Sequence, residues 1–349
     1  MNAKTITENG LAALVGEVIA AGGRVTAPVR ADDGTVDYRP ITGLAEAALD
    51  AGLPRRSLKE LFLPPTEPLF RWRQGKSDVT LEEVPVSFAP HLILGVKPCD
   101  AGALEILDRV MGWDYRDELW FGRRAAATIV ALACPDADAS CFCATVGPGP
   151  ESRRGADLFI TPAPGGFRVD AVTEKGEALV AAHAVHFADA PGPATARDTA
   201  GPALAGVSLP DVGEWLRHNH EHPLWAEVAL RCHGCGACAA VCPTCHCFDI
   251  VDEPEGVRDG VRRRNWDTCQ TARFTVHASG HNPRPDQGAR ARQRLTHKFS
   301  IYPTRFGEVL CTGCGRCARA CPGGVDLPEL LRTIAGLTGA ERREAGGAA

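Results

Sequence analysis

The sequence has no long apolar run and no recognisable export signal. None of its hydrophobic stretches approaches the roughly 18 residues typical of a membrane-spanning helix. The N-terminal segment MNAKTITENGLAALVGEVIAAGG has no basic region and no twin-arginine pair, and Glu17 interrupts its apolar part. A net charge of −5 gives no indication of a nucleic-acid or membrane partner. We therefore expect a cytoplasmic protein without a membrane span.

The common catalytic motifs are absent as well. The chain has no HExxH, no G-x-S-x-G and no P-loop. Two stretches, which begin at Gly234 and Gly313, spell G-x-G-x-x-A. No apolar strand leads directly into either of them, so we do not expect a dinucleotide site there.

Cysteine, in contrast, is abundant. The chain has 15 cysteines, an odd and high number that favours metal or redox chemistry over disulfides in a reducing compartment. Four lie between residues 99 and 143, and eleven lie between 232 and 321. A stretch rich in Pro, Ala and Gly separates the groups. We therefore predict an α/β domain over 1–190, a linker over 191–206, a second domain over 207–338 and a disordered tail over 339–349.

The α/β prediction for the first domain rests on hydrophobic periodicity. HLILGV (91–96) and TIVALA (128–133) are short apolar runs typical of buried parallel strands. AGALEILDRVM (101–111), between them, has helical spacing, as does NGLAALVGEVIAAGG (9–23). Together they predict a strand–helix–strand unit.

The second domain contains a repeat. CHGCGACAAVCP (232–243) and CTGCGRCARACP (311–322) agree at eight of twelve positions. Both read C-x2-C-x2-C-x3-C-P, the bacterial ferredoxin pattern for a [4Fe–4S] cluster, in which the fourth cysteine binds the other cluster. One predicted cluster is therefore bound by Cys232, Cys235, Cys238 and Cys321, and the other by Cys311, Cys314, Cys317 and Cys242.

Two further considerations bear on this interpretation. Structural zinc uses four ligands in two pairs, which fits the three-plus-one spacing badly. The segment between the two cysteine runs, residues 243–310, is longer than in a compact two-cluster ferredoxin. We therefore expect a mostly helical two-cluster domain.

A helix is predicted after the second cysteine run. Asp326 is placed to cap it, and its apolar face would consist of Leu327, Leu330, Leu331, Ile334 and Leu337.

A third cluster is predicted in the first domain. Cys99 and Cys134 follow the two predicted strands, and parallel neighbours would bring both to the carboxyl edge of the sheet. Cys141 and Cys143 lie in the loop that follows, so these four thiols are a candidate ligand set. The alternative is that they are small buried packing residues.

Two features remain open. Cys245, Cys247 and Cys269 are compatible with a further cluster that has a non-cysteine ligand, with a zinc site that includes His246, or with simple packing. The segment RPDQGARARQRLTHK (284–298) has five basic residues against one acid. It is either a solvated helix face, or a basic surface that docks a partner or offsets the charge of nearby clusters.

The sequence resembles the iron–sulfur β subunits of sulfhydrogenases and NADP-linked nickel–iron hydrogenases, which have a close relative in the anaerobic sulfite reductases. The resemblance covers about residues 90–325 and rests on the ferredoxin motifs together with GVKPCD, CPTCHCFDIVDE, RNWDTC, GHNPR and HKFS. It implies that the eight motif cysteines, and Cys99, Cys134, Cys141 and Cys143, are cluster ligands. It also implies a non-catalytic subunit that passes electrons between a partner with FAD and NAD(P) and a catalytic partner.

The catalytic partner implied by this resemblance is a nickel–iron hydrogenase. The alternatives are a siroheme-containing sulfite or sulfur reductase, or a self-sufficient iron–sulfur enzyme in which Cys245, Cys247 and Cys269 leave one iron open to substrate.

Overall fold

The structure is a computed structural model that describes residues 3–134, 137–147, 149–192 and 203–346. Most of the segment 191–206, the predicted linker, lies outside the described residues. The domain limits therefore stay a prediction.

The described residues form twelve strands and twelve α-helices. The strands are β1 (Lys4–Thr7), β2 (Arg24–Arg30), β3 (Val36–Pro40), β4 (Thr66–Gln74), β5 (Val79–Glu83), β6 (His91–Val96), β7 (Ala127–Leu132), β8 (Leu158–Ala163), β9 (Gly166–Ala171), β10 (Phe187–Asp189), β11 (Phe248–Pro254) and β12 (Asp259–Trp266). The helices are α1 (Glu8–Ala20), α2 (Pro98–Met111), α3 (Glu118–Ala126), α4 (Cys143–Val146), α5 (Glu174–Ala182), α6 (Leu209–His218), α7 (Leu224–Arg231), α8 (Ala237–Ala240), α9 (Gln287–Thr296), α10 (Tyr302–Phe306), α11 (Arg316–Arg319) and α12 (Leu327–Gly346). Short 3₁₀ turns occur at Leu44–Glu46, Leu58–Leu61 and Ala184–His186, and a π-helical turn spans His297–Ile301.

The larger sheet has eight strands in the order β10-β1-β9-β8-β7-β6-β2-β3. Its centre, β2-β6-β7-β8, is parallel, as expected for apolar strands that are buried on both faces. The two strands predicted at 91–96 and 128–133 are confirmed as β6 and β7, which are parallel neighbours. The predicted helices at 9–23 and 101–111 are confirmed as α1 and α2.

Alternating side chains of β6 pack into two separate hydrophobic cores. Leu92 and Leu94 pack on the face covered by α1, whereas Ile93 packs on the opposite face with α2. Because α2 begins directly after β6, the start of that helix lies at the carboxyl edge of the sheet. Cys99 is in its first turn.

The smaller sheet joins the two halves of the chain. Its order is β11-β12-β4-β5, so the hairpin that follows the first cysteine run pairs antiparallel with a strand of the N-terminal half. Arg264 on β12 is buried at this junction and forms ion pairs with Glu67 on β4 and with Asp117 before α3. Arg123 also donates a hydrogen bond to Glu67, over 2.6 Å.

The last helix packs as the sequence predicts over its first half. The Asp326 side chain accepts a hydrogen bond from the Glu329 backbone, and the apolar face of the helix is buried against α6 and α9. The helix continues to Gly346, which differs from the disordered tail expected at 339–349. The Ala, Glu and Arg residues there are strong helix formers, and 347–349 lie outside the described residues.

Along the parts of the chain that the structure describes, no helix is both long and apolar enough to cross a membrane.

Replacement of Arg264 by Met is expected to lower the free energy of unfolding by about 3–5 kcal/mol, because it leaves the buried carboxylate of Glu67 and the half-buried carboxylate of Asp117 short of a cation. Urea denaturation under anaerobic conditions measures this. The matched control is Arg262→Met on the same strand, which removes an exposed pair with Asp252 and should barely move the midpoint. Equal midpoints for the two variants would contradict the role of this junction.

Candidate metal centres

The second cysteine run forms a buried thiol cavity. Cys311, Cys314 and Cys317 line it together with Cys242, which comes from the first run. All four side chains are buried. The structure thus brings together the four thiols predicted for one cluster, including the crossed fourth cysteine, although their ligation stays a prediction.

The first run forms a neighbouring cavity. Its lining includes Cys232, Cys238 and Cys321, with Cys321 again supplied by the other run. Gln287 Nε2 lies 3.2 Å from the Cys232 sulfur, so its amide N–H can donate to a thiolate there. Cys235, the remaining predicted ligand, is exposed on the same loop. This site therefore reaches the protein surface.

The two cavities adjoin each other. Cys317 and Arg294 line both of them. Two clusters bound in these cavities would therefore be direct neighbours.

Two glycines let another loop pack onto the second run. Gly313 and Gly315 have φ angles of +65° and +68°, which disfavour any residue with a Cβ. A Cβ at Gly313 would lie 2.6 Å from the Cys143 backbone, and one at Gly315 would lie 2.4 Å from the Ser140 carbonyl oxygen. The loop that carries Cys141 and Cys143 thus lies directly against the second run.

The third predicted set also comes together. Cys99 lies in the first turn of α2, and Cys134 follows β7, the parallel neighbour of β6. Burial raises the pKa of Cys143 to about 11, with smaller contributions from the nearby thiols of Cys141 and Cys134. Burial also raises the pKa of Cys99, with contributions from Asp100, Cys314 and Cys134. The Cys141 sulfur lies 3.8 Å from the Cys314 carbonyl oxygen, so this set borders the second-run cavity.

A buried ion pair holds the third set and the second run together. Arg316 donates to both carboxylate oxygens of Asp100, over 2.6 and 2.7 Å. The Tyr38 hydroxyl donates to the same carboxylate over 2.9 Å, and the Pro54 carbonyl accepts from Arg316 Nε. Sequence reasoning missed this pair. The signal that could have found it was a charged residue next to a cysteine in each segment, Asp100 after Cys99 and Arg316 before Cys317.

The basic segment 284–298 is not a solvated face. Arg290, Arg294 and Lys298 are four residues apart and are all buried. Lys298 Nζ lies 3.3 Å from the Cys242 sulfur, and it donates to Thr244 Oγ1 and the Leu310 carbonyl over 2.9 Å each. Burial lowers the pKa of Lys298, but the charge interaction with nearby cysteine sulfurs, chiefly Cys242 and Cys245, raises it, and the net direction is upward.

These surroundings fit a bound anionic cluster. Burial raises the pKa of Cys314 to about 11 and that of Cys311 to about 12, so the bare thiols would be protonated at neutral pH, whereas iron binding would ionise them. Arg294 Nε and Thr312 Oγ1, both at the second-run cavity, have no hydrogen-bond partner among the described residues. A negatively charged group between the thiols would supply a counter-charge and acceptors for both.

Among the described residues, no three Cys, His, Asp or Glu side chains converge closely enough to hold a single metal ion. A zinc ion requires four donors about 2.0–2.3 Å from one point. The four thiolates of a [4Fe–4S] cluster, in contrast, bind four different irons and stand further apart.

The three additional cysteines occur in close pairs. Interaction with the Cys242 side chain raises the pKa of Cys245, and interaction with the Cys269 side chain raises the pKa of Cys247. His246 is half-buried, the burial of its ring lowers its pKa to about 4, and its Nδ1 lies 3.1 Å from the Thr244 carbonyl oxygen. Among the described residues this group forms no single-ion arrangement, and a further cluster, a zinc site with His246 and simple packing stay open as alternatives.

Comparison with known proteins identifies the class. Residues 231–325 match the family model of the 4Fe-4S dicluster domain. The chain is therefore an iron–sulfur protein with a ferredoxin-like 4Fe–4S domain in its C-terminal half, as the repeat predicts.

A relative that aligns over most of the chain points to a more specific group of proteins. The chain is 28% identical over 322 residues to the sulfhydrogenase 2 subunit beta of Pyrococcus furiosus, with 89% of this chain and 92% of that protein covered. This similarity confirms the resemblance to hydrogenase β subunits. No solved structure matches the chain.

Replacement of Gly315 by Ala is expected to remove about four irons per chain, the content of one cluster, because the new methyl group collides with the Ser140 carbonyl oxygen. Iron analysis of anaerobically purified protein measures this. Gly324→Ala is the matched control, since Gly324 has a similar φ of +64° but open space around its Cα. Equal iron contents in the two variants would refute the packing argument.

Proposed function

We propose that the protein is the electron-transfer subunit of a cytoplasmic multisubunit oxidoreductase. In this proposal it relays electrons between a partner that binds FAD and NAD(P)H and a catalytic partner, a nickel–iron hydrogenase. The observation that carries the proposal is the spatial order of the three thiol sets. Bound [4Fe–4S] clusters would supply reversible one-electron transfer.

The thiol sets form a row. The third thiol set, in the first domain, borders the second-run cavity through Cys141 and through the loop that packs against Gly313. The second-run cavity shares Cys317 with the first-run cavity. Cys235 is exposed at the end of the row. The twelve thiolates would hold three clusters in series, with one in domain 1–190 and two in domain 207–338.

Two observations support partner subunits. The chain has no dinucleotide fingerprint of its own, so the step that converts the two electrons of NAD(P)H into single electrons is assigned to a flavin subunit. The relative in Pyrococcus furiosus is named as subunit beta of a sulfhydrogenase. A siroheme-containing sulfite or sulfur reductase is the alternative catalytic partner.

The anaerobically purified chain is expected to contain about twelve irons and twelve acid-labile sulfides, that is, three clusters of four. Cys99→Ser should remove about four irons, because it deletes a ligand of the third cluster. Cys269→Ser, outside the proposed ligand sets, is the matched control and should keep about twelve. About eight irons in the unmodified chain would show that the third set binds no cluster, and zinc in place of iron would overturn the proposal.

The isolated chain is expected to be reduced and reoxidised without turnover of any substrate. EPR spectra of the dithionite-reduced protein should show reduced [4Fe–4S] clusters that reoxidise on addition of a viologen dye. Assays for hydrogen oxidation and sulfite reduction should give no activity. Turnover by the chain alone would instead favour a self-sufficient enzyme.

A further inference from the structure

Helix α9 and the π-helical turn after it present a row of cations to the protein interior. Arg290, Arg294 and Lys298 recur every fourth residue, which places them on one face. Arg290 donates to the backbone carbonyls of Arg284 and Pro285. The other two cations reach the thiol cavities.

Arg294 lies between the two motif sites. Its side chain lines both cavities, and its Nη2 lies 3.4 Å from the Cys238 carbonyl oxygen. Lys298 lines only the second-run cavity, where it donates to the Cys242 sulfur. Among the described residues, neither cation forms an ion pair with a carboxylate.

Arg316 provides the contrast. It is as deeply buried and lies beside Cys314, but Asp100 pairs with it through two hydrogen bonds and cancels its charge. Buried charges are normally paired, because an isolated ion loses its hydration without compensation. The counter-charge of Arg294 and Lys298 is therefore the cysteine thiolates together with any cluster that they bind.

We propose that Arg294 and Lys298 raise the reduction potentials of the two motif clusters, with Arg294 acting on both and Lys298 mainly on the cluster that Cys242 binds. This inference rests on the proposed function. Each reduction brings one electron from a partner subunit, which places one more negative charge between the thiolates. A fixed buried cation stabilises that added charge, and net charge is one of the factors that set the potential of an iron–sulfur cluster.

The test is an EPR-monitored redox titration of the anaerobically purified full chain. Arg294→Gln should shift the midpoint potentials of both motif clusters to more negative values. Lys298→Met should shift mainly one of them. Arg294→Lys keeps the charge and should keep potentials close to those of the unmodified chain, which a purely structural role of Arg294 would not predict.

Arg292→Gln is the matched control. Arg292 lies on the same helix, but it points away from the cavities, towards the His220 carbonyl and Glu221. It should leave both potentials unchanged. A shift equal to that of Arg294→Gln would reduce the effect to overall charge and overturn the inference.

Iron content distinguishes a failure of this inference from a failure of the proposed function. Unchanged potentials in Arg294→Gln, with full iron content, would overturn this inference and leave the relay intact. An unmodified chain that binds no iron would overturn the proposed function itself. If either Arg294→Gln or Lys298→Met does not retain iron, the potentials of the other variant test the inference.

Discussion

The buried ion pair between Arg316 and Asp100 is the contact on which the arrangement of the thiol sets depends. Both side chains are almost inaccessible to solvent, at 1% and 0% exposure, so their desolvation must be offset by good geometry. Two hydrogen bonds between them, one from Tyr38 and one to Pro54 satisfy the pair. Arg316 belongs to the second cysteine run, and Asp100 follows Cys99. The pair therefore holds the start of α2 against the ferredoxin-like motif, and with it the proposed third cluster beside the second.

Charge pairing also distinguishes the cations around the thiols. Asp100 neutralises Arg316, whereas Arg294 and Lys298 have no carboxylate partner among the described residues. One buried arginine thus serves packing, and the others remain to balance negative charge in the cavities. Because α9 is short and lies between both sites, a single helix face can influence two neighbouring centres. Arg292 lies on another side of the same helix, half-buried and directed towards the His220 carbonyl and Glu221, so the two kinds of role lie on different helix faces.

The two halves of the chain are more closely joined than the cysteine spacing suggests. The β11–β12 hairpin leaves the first cysteine run and completes a sheet with β4 and β5. Arg264 at this junction is buried with Glu67, which lies 197 residues away in the sequence. Such pairing leaves little local signature, because the partner strand carries no motif. The cysteine-rich half therefore cannot be understood from its own motifs alone.

The sequence by itself determined the features that depend on local pattern. The apolar runs 91–96 and 128–133 predicted β6 and β7, Asp326 and Leu327 predicted the start of α12, and the two cysteine runs predicted an iron–sulfur domain. These signals work because strand burial, helix capping and thiol spacing each involve residues within a few positions of one another. Only the tertiary structure decided the Arg316–Asp100 pair and the packing of the Cys141 loop against Gly313 and Gly315. It also decided which face of α9, and therefore which of its cations, is buried. Each of these is a contact between distant segments, and helical spacing alone does not say which face is buried. The helix at 339–346 was missed for a different reason, since terminal residues are often poorly ordered and this expectation was given more weight than the helix propensity of Ala, Glu and Arg.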